Sequence, residues 1–374
     1  MFAVQRTLRS QSFLHCKTCR ISDRHIRSCG IQTPERRSPV AFAFDIDGVL
    51  LRGKEVLPQA RRALRLLDGE NKLGMKIPHI FITNGGGVAE DIRCRKLTSQ
   101  LGVEIKPTQL IQAHTVLKSV ASQYADSPVL VLGGKGDDLR LVAEEYGFRR
   151  VTTPIDIHAW NPSIWPFYEL SPYERERSRP FDPTIPLRAA FVFHDPRNWS
   201  LDIQILCDIL QSRGYVGNAD YHNNTAGREP VELVFCNPDL LWGSDFPVAR
   251  IGQGGFREAF QGVYKALTGS RYPYVQYGKP SEATFRFAER ILLDLFEDQG
   301  TSDANRQIGP SIYMIGDNPE SDIAGANGAN WSSILVKTGV YREGSGPPSH
   351  RPTLMAEDVE EAITMALRRE SVEL

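Results

Sequence analysis

The chain has 374 residues, 41% of them hydrophobic and 24% charged, with a formal net charge of −1. This is the composition of a globular protein long enough for two hydrophobic cores, so two domains are expected. No run of 18 apolar residues is present, which argues against a membrane-spanning helix, and an acidic body without a basic stripe argues against nucleic acid as the main partner.

Residues 1–39 carry seven Arg and one Lys against Asp23 and Glu35, which leaves the rest of the chain acidic. Between Met1 and Ser22 there is no acid, and Arg6, Arg9 and Arg20 are interspersed with Phe2, Leu8, Phe13 and Leu14 and with Ser10, Ser12 and Ser22. That pattern is the composition of a mitochondrial transit peptide; a basic tail on a cytoplasmic protein is the other reading. Six Cys make no disulfide framework and suit a reducing compartment. Cys16 and Cys19 have the spacing of half a zinc site, with His15 and His25 nearby, but no second ligand pair of matching spacing follows. Cys94, Cys207 and Cys236 are scattered and are expected to be buried thiols.

The first strong element is Val40-Ala41-Phe42-Ala43-Phe44, an apolar run too short for an amphipathic helix and suited to a strand buried on both faces of a parallel sheet. Asp45 and Asp47 follow where the strand ends, and Gly48 lets the chain turn away. Open α/β sheets hold their chemistry at this edge. Two carboxylates so close repel unless neutralised, and a hard divalent cation such as Mg2+ is the usual neutraliser of clustered oxygen ligands. Asp as a turn former is the plainer alternative.

Pro58–Leu67 opens with Pro at a first helical position and carries Ala60, Ala63, Leu64 and Leu67 at helical spacing. A second strand, Ile77–Thr83, ends in a hydroxyl and leads into Asn84-Gly85-Gly86-Gly87 and a helix over Val88–Leu101. Strand, helix, strand of this length implies a right-handed parallel crossover. A glycine run ahead of a helix N-terminus suits an anion, and equally suits a flexible loop.

Over 108–268 the spacing predicts a helix at Thr108–Tyr124, a strand at Val129–Leu132, a helix at Asp137–Tyr146, strands at Ala189–Phe193 and Val231–Phe235, and helices at Leu201–Ser212 and Phe256–Leu267. The stretch 160–186 holds six Pro and two Trp and reads as an irregular excursion long enough to be functional. Beyond 268, Gly278-Lys279-Pro280 precedes a helix over Ser281–Glu297, and a strand from Ser311 ends in Gly316-Asp317, with Asp322 five residues on. Trp331–Lys337 reads as a further strand and Glu357–Arg368 as a closing helix.

Asp45-x-Asp47-Gly-Val, then Thr83 at a strand end, then Lys279 before a helix, then Gly316-Asp317-x4-Asp322, in that order, resemble the four motifs of the haloacid dehalogenase superfamily over residues 40–340. Asn237-Pro238-Asp239 after a strand, with Gly252, Gly254 and Gly255 behind it, is similar to the large cap of the nitrophenyl phosphatase and NagD subclass. Thr83-Asn84-Gly85-Gly86-Gly87 resembles the cat eye syndrome critical region branch of that subclass.

The resemblance implies a doubly wound α/β core with an inserted α/β cap, and a Mg2+-dependent phosphatase working through an aspartyl-phosphate. The segments would be a targeting stretch 1–39, core 40–107, cap 108–268, core 269–345 and a C-terminal helix and tail 346–374. Asp45 would be the nucleophile and Asp47 the acid and base, the latter needing neighbours that favour its protonated form. Mg2+ would be held by Asp45, the Asp47 carbonyl and Asp317, with Asp322 orienting a metal-bound water. Lys279, the Thr83 hydroxyl and the Asn84 amide would bind the phosphoryl group, and Asn237 and Asp239 would meet substrate from the cap.

From the residues alone, Thr83 is also an ordinary strand residue, Lys279 a solvated loop residue, Asp322 a helix N-terminal acid and Asp239 an Asx-turn. His194 and His222 are not taken as catalytic. The expected partner is a small phosphorylated metabolite able to enter under a cap. An enzyme of glycerol-phosphate or glycerophospholipid metabolism, and a non-catalytic binding or regulatory module on the same fold, are the alternatives.

Overall fold

The computed structural model describes residues 40–217, 226–243, 246, 248–297, 311–342, 344 and 346–372. The expected targeting segment and His222 lie outside the described residues.

In chain order the strands are β1 (Val40–Phe44), β2 (Leu51–Arg52), β3 (Glu55–Val56), β4 (His79–Ile82), β5 (Leu110–Ile111), β6 (Pro128–Leu132), β7 (Arg150–Thr152), β8 (Ala189–Val192), β9 (Glu232–Phe235), β10 (Leu241–Trp242), β11 (Arg250–Ile251), β12 (Val275–Gln276), β13 (Ser311–Gly316), β14 (Ser332–Val336) and β15 (Leu354–Ala356). A parallel six-stranded sheet runs β15-β14-β13-β1-β4-β5. A second parallel sheet runs β12-β9-β8-β6-β7. Two antiparallel hairpins, β2-β3 and β10-β11, stand apart from both.

β1 lies inside the larger sheet, and its period-two alternation divides two cores. Val40, Phe42 and Phe44 share one core with Ala60, Leu64 and Ile363; Ala41 and Ala43 share the other with Phe285, Leu292 and Met314. The helix Pro58–Leu67 buries the four residues its spacing marked. The closing helix, Val359–Arg369, packs into the same core as β1. The smaller sheet is likewise covered on both faces, by helices Trp199–Gln211 and Gln253–Thr268 on one side and Asp138–Tyr146 on the other.

Several local expectations are corrected. Thr108–Tyr124 is not one helix: it supplies β5 and then short turns at Thr115–Ser119 and Ala121–Tyr124, because Leu110 and Ile111 complete the larger sheet's edge beside β4. The larger sheet therefore continues past residue 107, and the smaller one past residue 268 to β12. Gly254 and Gly255 lie in the first turn of the helix Gln253–Thr268, not in a loop. A Cβ on either would collide, with the Pro238 carbonyl or with the Ile251 side chain.

The 160–186 excursion contains the helices Pro162–Ile164 and Pro172–Arg177 and packs on the smaller sheet's core through Trp165, Tyr168 and Phe181. It is fastened by Asp156, which accepts from Arg140 (2.7 Å) and from the Arg179 N–H (2.6 Å), and none of it lines the cavity that holds Asp45 and Asp317. Its length thus completes a core.

Candidate active site

Because β1, β4 and β13 are parallel neighbours, their carboxyl ends share one sheet edge, and each strand delivers its polar residues there. β1 delivers Asp45, whose N–H donates to the Ile315 carbonyl (2.9 Å) and so stays in register with β13. β4 delivers Thr83 and Asn84, and β13 delivers Asp317 and, one turn later, Asp322.

Lys279 reaches the same point from the smaller sheet, after β12. Its Nζ donates to Asp45 Oδ1 (2.5 Å) and Asp322 Oδ1 (2.6 Å). Asp322 Oδ2 accepts from the Asp317 and Asn318 N–H groups (3.1 and 3.0 Å), so both its oxygens are engaged and it fixes Lys279 against the loop after β13. Asp317 Oδ2 accepts from the Val340 N–H (2.6 Å). Gly48, at φ +91, and Gly339 leave room for this carboxylate, since a Cβ on either would overlap it.

The cluster is buried and carries more negative than positive charge. Burial, opposed by Lys279 and reinforced by Asp322, Asp317 and Asp47, holds the Asp45 carboxyl well above its ordinary pKa. Burial and then Asp322 push Asp317 up to about 7. Burial acts against the Lys279 ammonium, but Asp322 and Asp45 outweigh it and hold its pKa above the ordinary lysine value.

Asp45, Asp317 and Asp322 each offer an oxygen within 4.8 Å of the others, all three residues being buried. Three carboxylates and one ammonium leave a deficit of positive charge that a hard divalent cation fits, and the donor set is oxygen throughout. The Asp47 carboxylate stands outside this group. It is exposed into the cavity, and no hydrogen bond to it is found among the described residues.

Asn84 links three elements. Its Oδ1 accepts from the Lys279 N–H (2.8 Å), and its Nδ2 donates to the Lys279 carbonyl (3.0 Å) and to Asp239 Oδ1 (3.1 Å). The carboxamide is thus a strut, and its main-chain N–H is the donor left over for an anion. Asp239, pushed up to about 6 by burial against the opposing pull of Lys279 and the Asn84 bond, comes from the loop after β9. Asn237 accepts from the Asp239 N–H (2.7 Å) and donates its own N–H to Gln253 (2.8 Å), shaping that loop. Thr83 Oγ1 accepts from the Gly85 N–H (2.9 Å), leaving its O–H free to donate.

The glycine run has a packing reason. Gly86 passes against the His114 ring, and Gly87, at φ +95, against His194, so a Cβ on either would meet an imidazole. Every predicted site residue lines one cavity of about 460 Å³. Lys54, Arg93, His194 and Arg197 line it too, from three separate segments, His194 and Arg197 sharing the loop after β8; none sits in a motif, and His194 was set aside for that reason. Cys94, Cys207 and Cys236 are free and buried, as expected.

A buried strand-end carboxylate beside a buried ammonium, a cluster of three carboxylates fit for a hard cation and a cation-lined cavity define the class of a phosphohydrolase. The family of haloacid dehalogenase-like hydrolases matches residues 42–149, and a second model of the same kind, HAD-hydrolase-like, matches 276–362. A mitochondrial hydrolase of Saccharomyces cerevisiae is 38% identical over 348 residues, covering 88% of this chain and 96% of that one. A cardiolipin synthase (CMP-forming)/mitochondrial hydrolase fusion protein of Schizosaccharomyces pombe is 37% identical over 339 residues, covering 89% of this chain but only 54% of the relative. Among solved structures, a p-nitrophenyl phosphatase from Archaeoglobus fulgidus superposes with a TM-score of 0.57 at 17% identity, covering 88% of this chain and all of that one. The chain belongs to the haloacid dehalogenase-like hydrolases and shares its fold with the nitrophenyl phosphatase type within them.

Proposed function

We propose that this chain is a Mg2+-dependent phosphatase that hydrolyses a small phosphate ester through an aspartyl-phosphate on Asp45. The observation that carries this reading is the Lys279 bridge between Asp45 and Asp322, which keeps a nucleophilic carboxylate and a fixed positive charge together at the cavity floor.

Asp45 attacks phosphorus through one carboxylate oxygen, and the ester oxygen departs with a proton from Asp47. Asp47, now a carboxylate, takes a proton from the water that attacks the aspartyl-phosphate; inorganic phosphate leaves and Asp45 is regenerated. Lys279 offsets negative charge on the transferring group, while the Thr83 hydroxyl and the Asn84 N–H donate to its oxygens. Asp45, the Asp47 carbonyl and Asp317 would hold Mg2+, with Asp322 positioning that set; the ion supplies charge neutralisation for nucleophile and phosphate. Asp239 and Asn237 close the site from the cap sheet.

Purified protein assayed on a panel of small phosphate esters, with and without Mg2+ and beside Asp45→Asn, tests this. Mg2+-dependent turnover absent from the variant is expected; none above the variant would exclude it.

A second reading, an enzyme of glycerol-phosphate or glycerophospholipid metabolism with the same chemistry, is favoured by one observation. The fission yeast relative joins a hydrolase of this kind to a cardiolipin synthase in one polypeptide. Both relatives are described as mitochondrial, which with the basic, acid-poor start of the sequence supports a mitochondrial location. N-terminal sequencing of the cellular protein tests it: an intact Met1 in a cytosolic fraction would count against import.

A further inference from the structure

The β10-β11 hairpin, which follows the loop after β9, carries an apolar surface that the chemistry above does not use. Leu240, Leu241, Trp242, Val248 and Ile251, on and around the β10-β11 hairpin, are between 46% and 63% exposed. Scattered apolar residues need no explanation, but five within a twelve-residue stretch mark a candidate for contact.

Three of the five, Leu240, Leu241 and Trp242, line a groove of about 760 Å³, larger than the catalytic cavity itself. Pro280 and Val340 line the same groove. The groove and the catalytic cavity are continuous: Asp47, Asp239, Leu241, Trp242 and Asp317 line both. A ligand with its phosphoryl group at Asp45 therefore has beside it a groove with an apolar side, formed by Leu240, Leu241, Trp242, Pro280 and Val340, and a charged side that includes Glu320. Arg52 and Arg342 stand along the same groove, and the hydrogen bonds found for their guanidinium groups go to the main-chain carbonyls of Thr338 (2.7 Å) and Gly339 (3.4 Å).

We propose that this groove holds the hydrocarbon portion of the substrate, so that the enzyme acts on phosphomonoesters bearing an extended apolar chain. The proposal rests on the phosphatase reading and narrows its substrate class. The polar cavity holds the phosphate and its immediate linkage; the groove removes the chain from water. Continuity with the catalytic cavity selects substrate over a second copy of the chain, because an occupant of the groove reaches Asp47 and Asp239.

The test is kcat/KM for n-alkyl phosphates from methyl to octyl, below their aggregation concentrations and with Mg2+, for the full-length protein and for Leu240→Ser and Trp242→Ala. Methylene burial in the groove raises kcat/KM by up to about fourfold per carbon. Both variants, altered at half-exposed positions that leave the cores intact, should flatten that dependence and cut the octyl-to-methyl ratio at least about tenfold. Methyl phosphate turned over with no dependence on chain length would overturn the proposal while leaving the phosphatase reading intact. Absence of Mg2+-dependent turnover on every ester would remove the phosphatase reading and this proposal with it. Light scattering supplies the third outcome: variants that change the protein from an associated to a monomeric species, with an unaltered chain-length slope, would assign the patch to self-association and overturn its role in substrate binding.

Discussion

Asn84 and Lys279, 195 residues apart, hold one another by a reciprocal pair of main-chain to side-chain hydrogen bonds, Lys279 N–H to Asn84 Oδ1 and Asn84 Nδ2 to the Lys279 carbonyl. The same carboxamide reaches Asp239 from the cap sheet. One side chain thereby sets the position of the ammonium on Asp45 and ties it to the loop that roofs the site. Asn84→Ala should fold, since the side chain is small and lies at the cavity, but its Lys279 would be free to drift. Displacement on the order of an ångström costs roughly a hundredfold in rate. Steady-state kinetics with Mg2+ should show a drop of that size in kcat, and Asn84→Asp, which keeps the acceptor and loses the donor, should fall between it and the parent.

Lys279 is the sole cation within hydrogen-bond reach of Asp45 and Asp322 among the described residues. Lys279→Met leaves buried carboxylates without their partner, and loss of one member of a buried ion pair typically destabilises by about 3 kcal/mol. Thermal unfolding without divalent ions should show the loss. Mg2+ should recover more stability in the variant than it adds to the parent, because it then offsets a larger charge deficit. An equal Mg2+ shift in both proteins would speak against an ion bound at this cluster.

Asp202, in the first turn of the helix Trp199–Gln211, is buried, and desolvation pushes its carboxyl up to about 8 against the lowering effect of a backbone hydrogen bond at Asn198. The folded chain thus keeps a proton that the unfolded chain releases near pH 4. Stability falls as pH rises from about 4 to about 8, by on the order of a few kcal/mol, and is level outside that window for this group. Asp202→Asn, which cannot ionise, should unfold at a higher temperature than the parent at pH 8.5 and at a similar one at pH 4.5. Differential scanning calorimetry at the two pH values reads the difference.

Much of this was legible in the sequence because burial on two faces leaves a plain signature. Val40–Phe44 and Ile312–Ile315 are continuous apolar runs, and the acids Asp45 and Asp317 mark where each strand leaves the core. The nine candidate residues therefore assembled as their order along the chain implied. Strands of two or three residues, such as β5, β12 and β15, are too short to show a period, and the apolar pattern around Leu110 was absorbed into a helix. The glycine run looked like an anion loop, yet the rings that require it, His114 and His194, come from distant segments that no local pattern connects. Asn84 suggested a phosphate donor by its position, whereas its carboxamide is already committed to Lys279 and Asp239.

The most direct measurement is a rapid acid quench of the enzyme mixed with a turned-over phosphate ester and Mg2+, followed by peptide mapping. Phosphate on the peptide that carries Asp45, missing when Asp45→Asn is treated identically, is the expected result. Phosphate attached elsewhere, or steady-state turnover retained by Asp45→Asn, would contradict a mechanism built on this carboxylate.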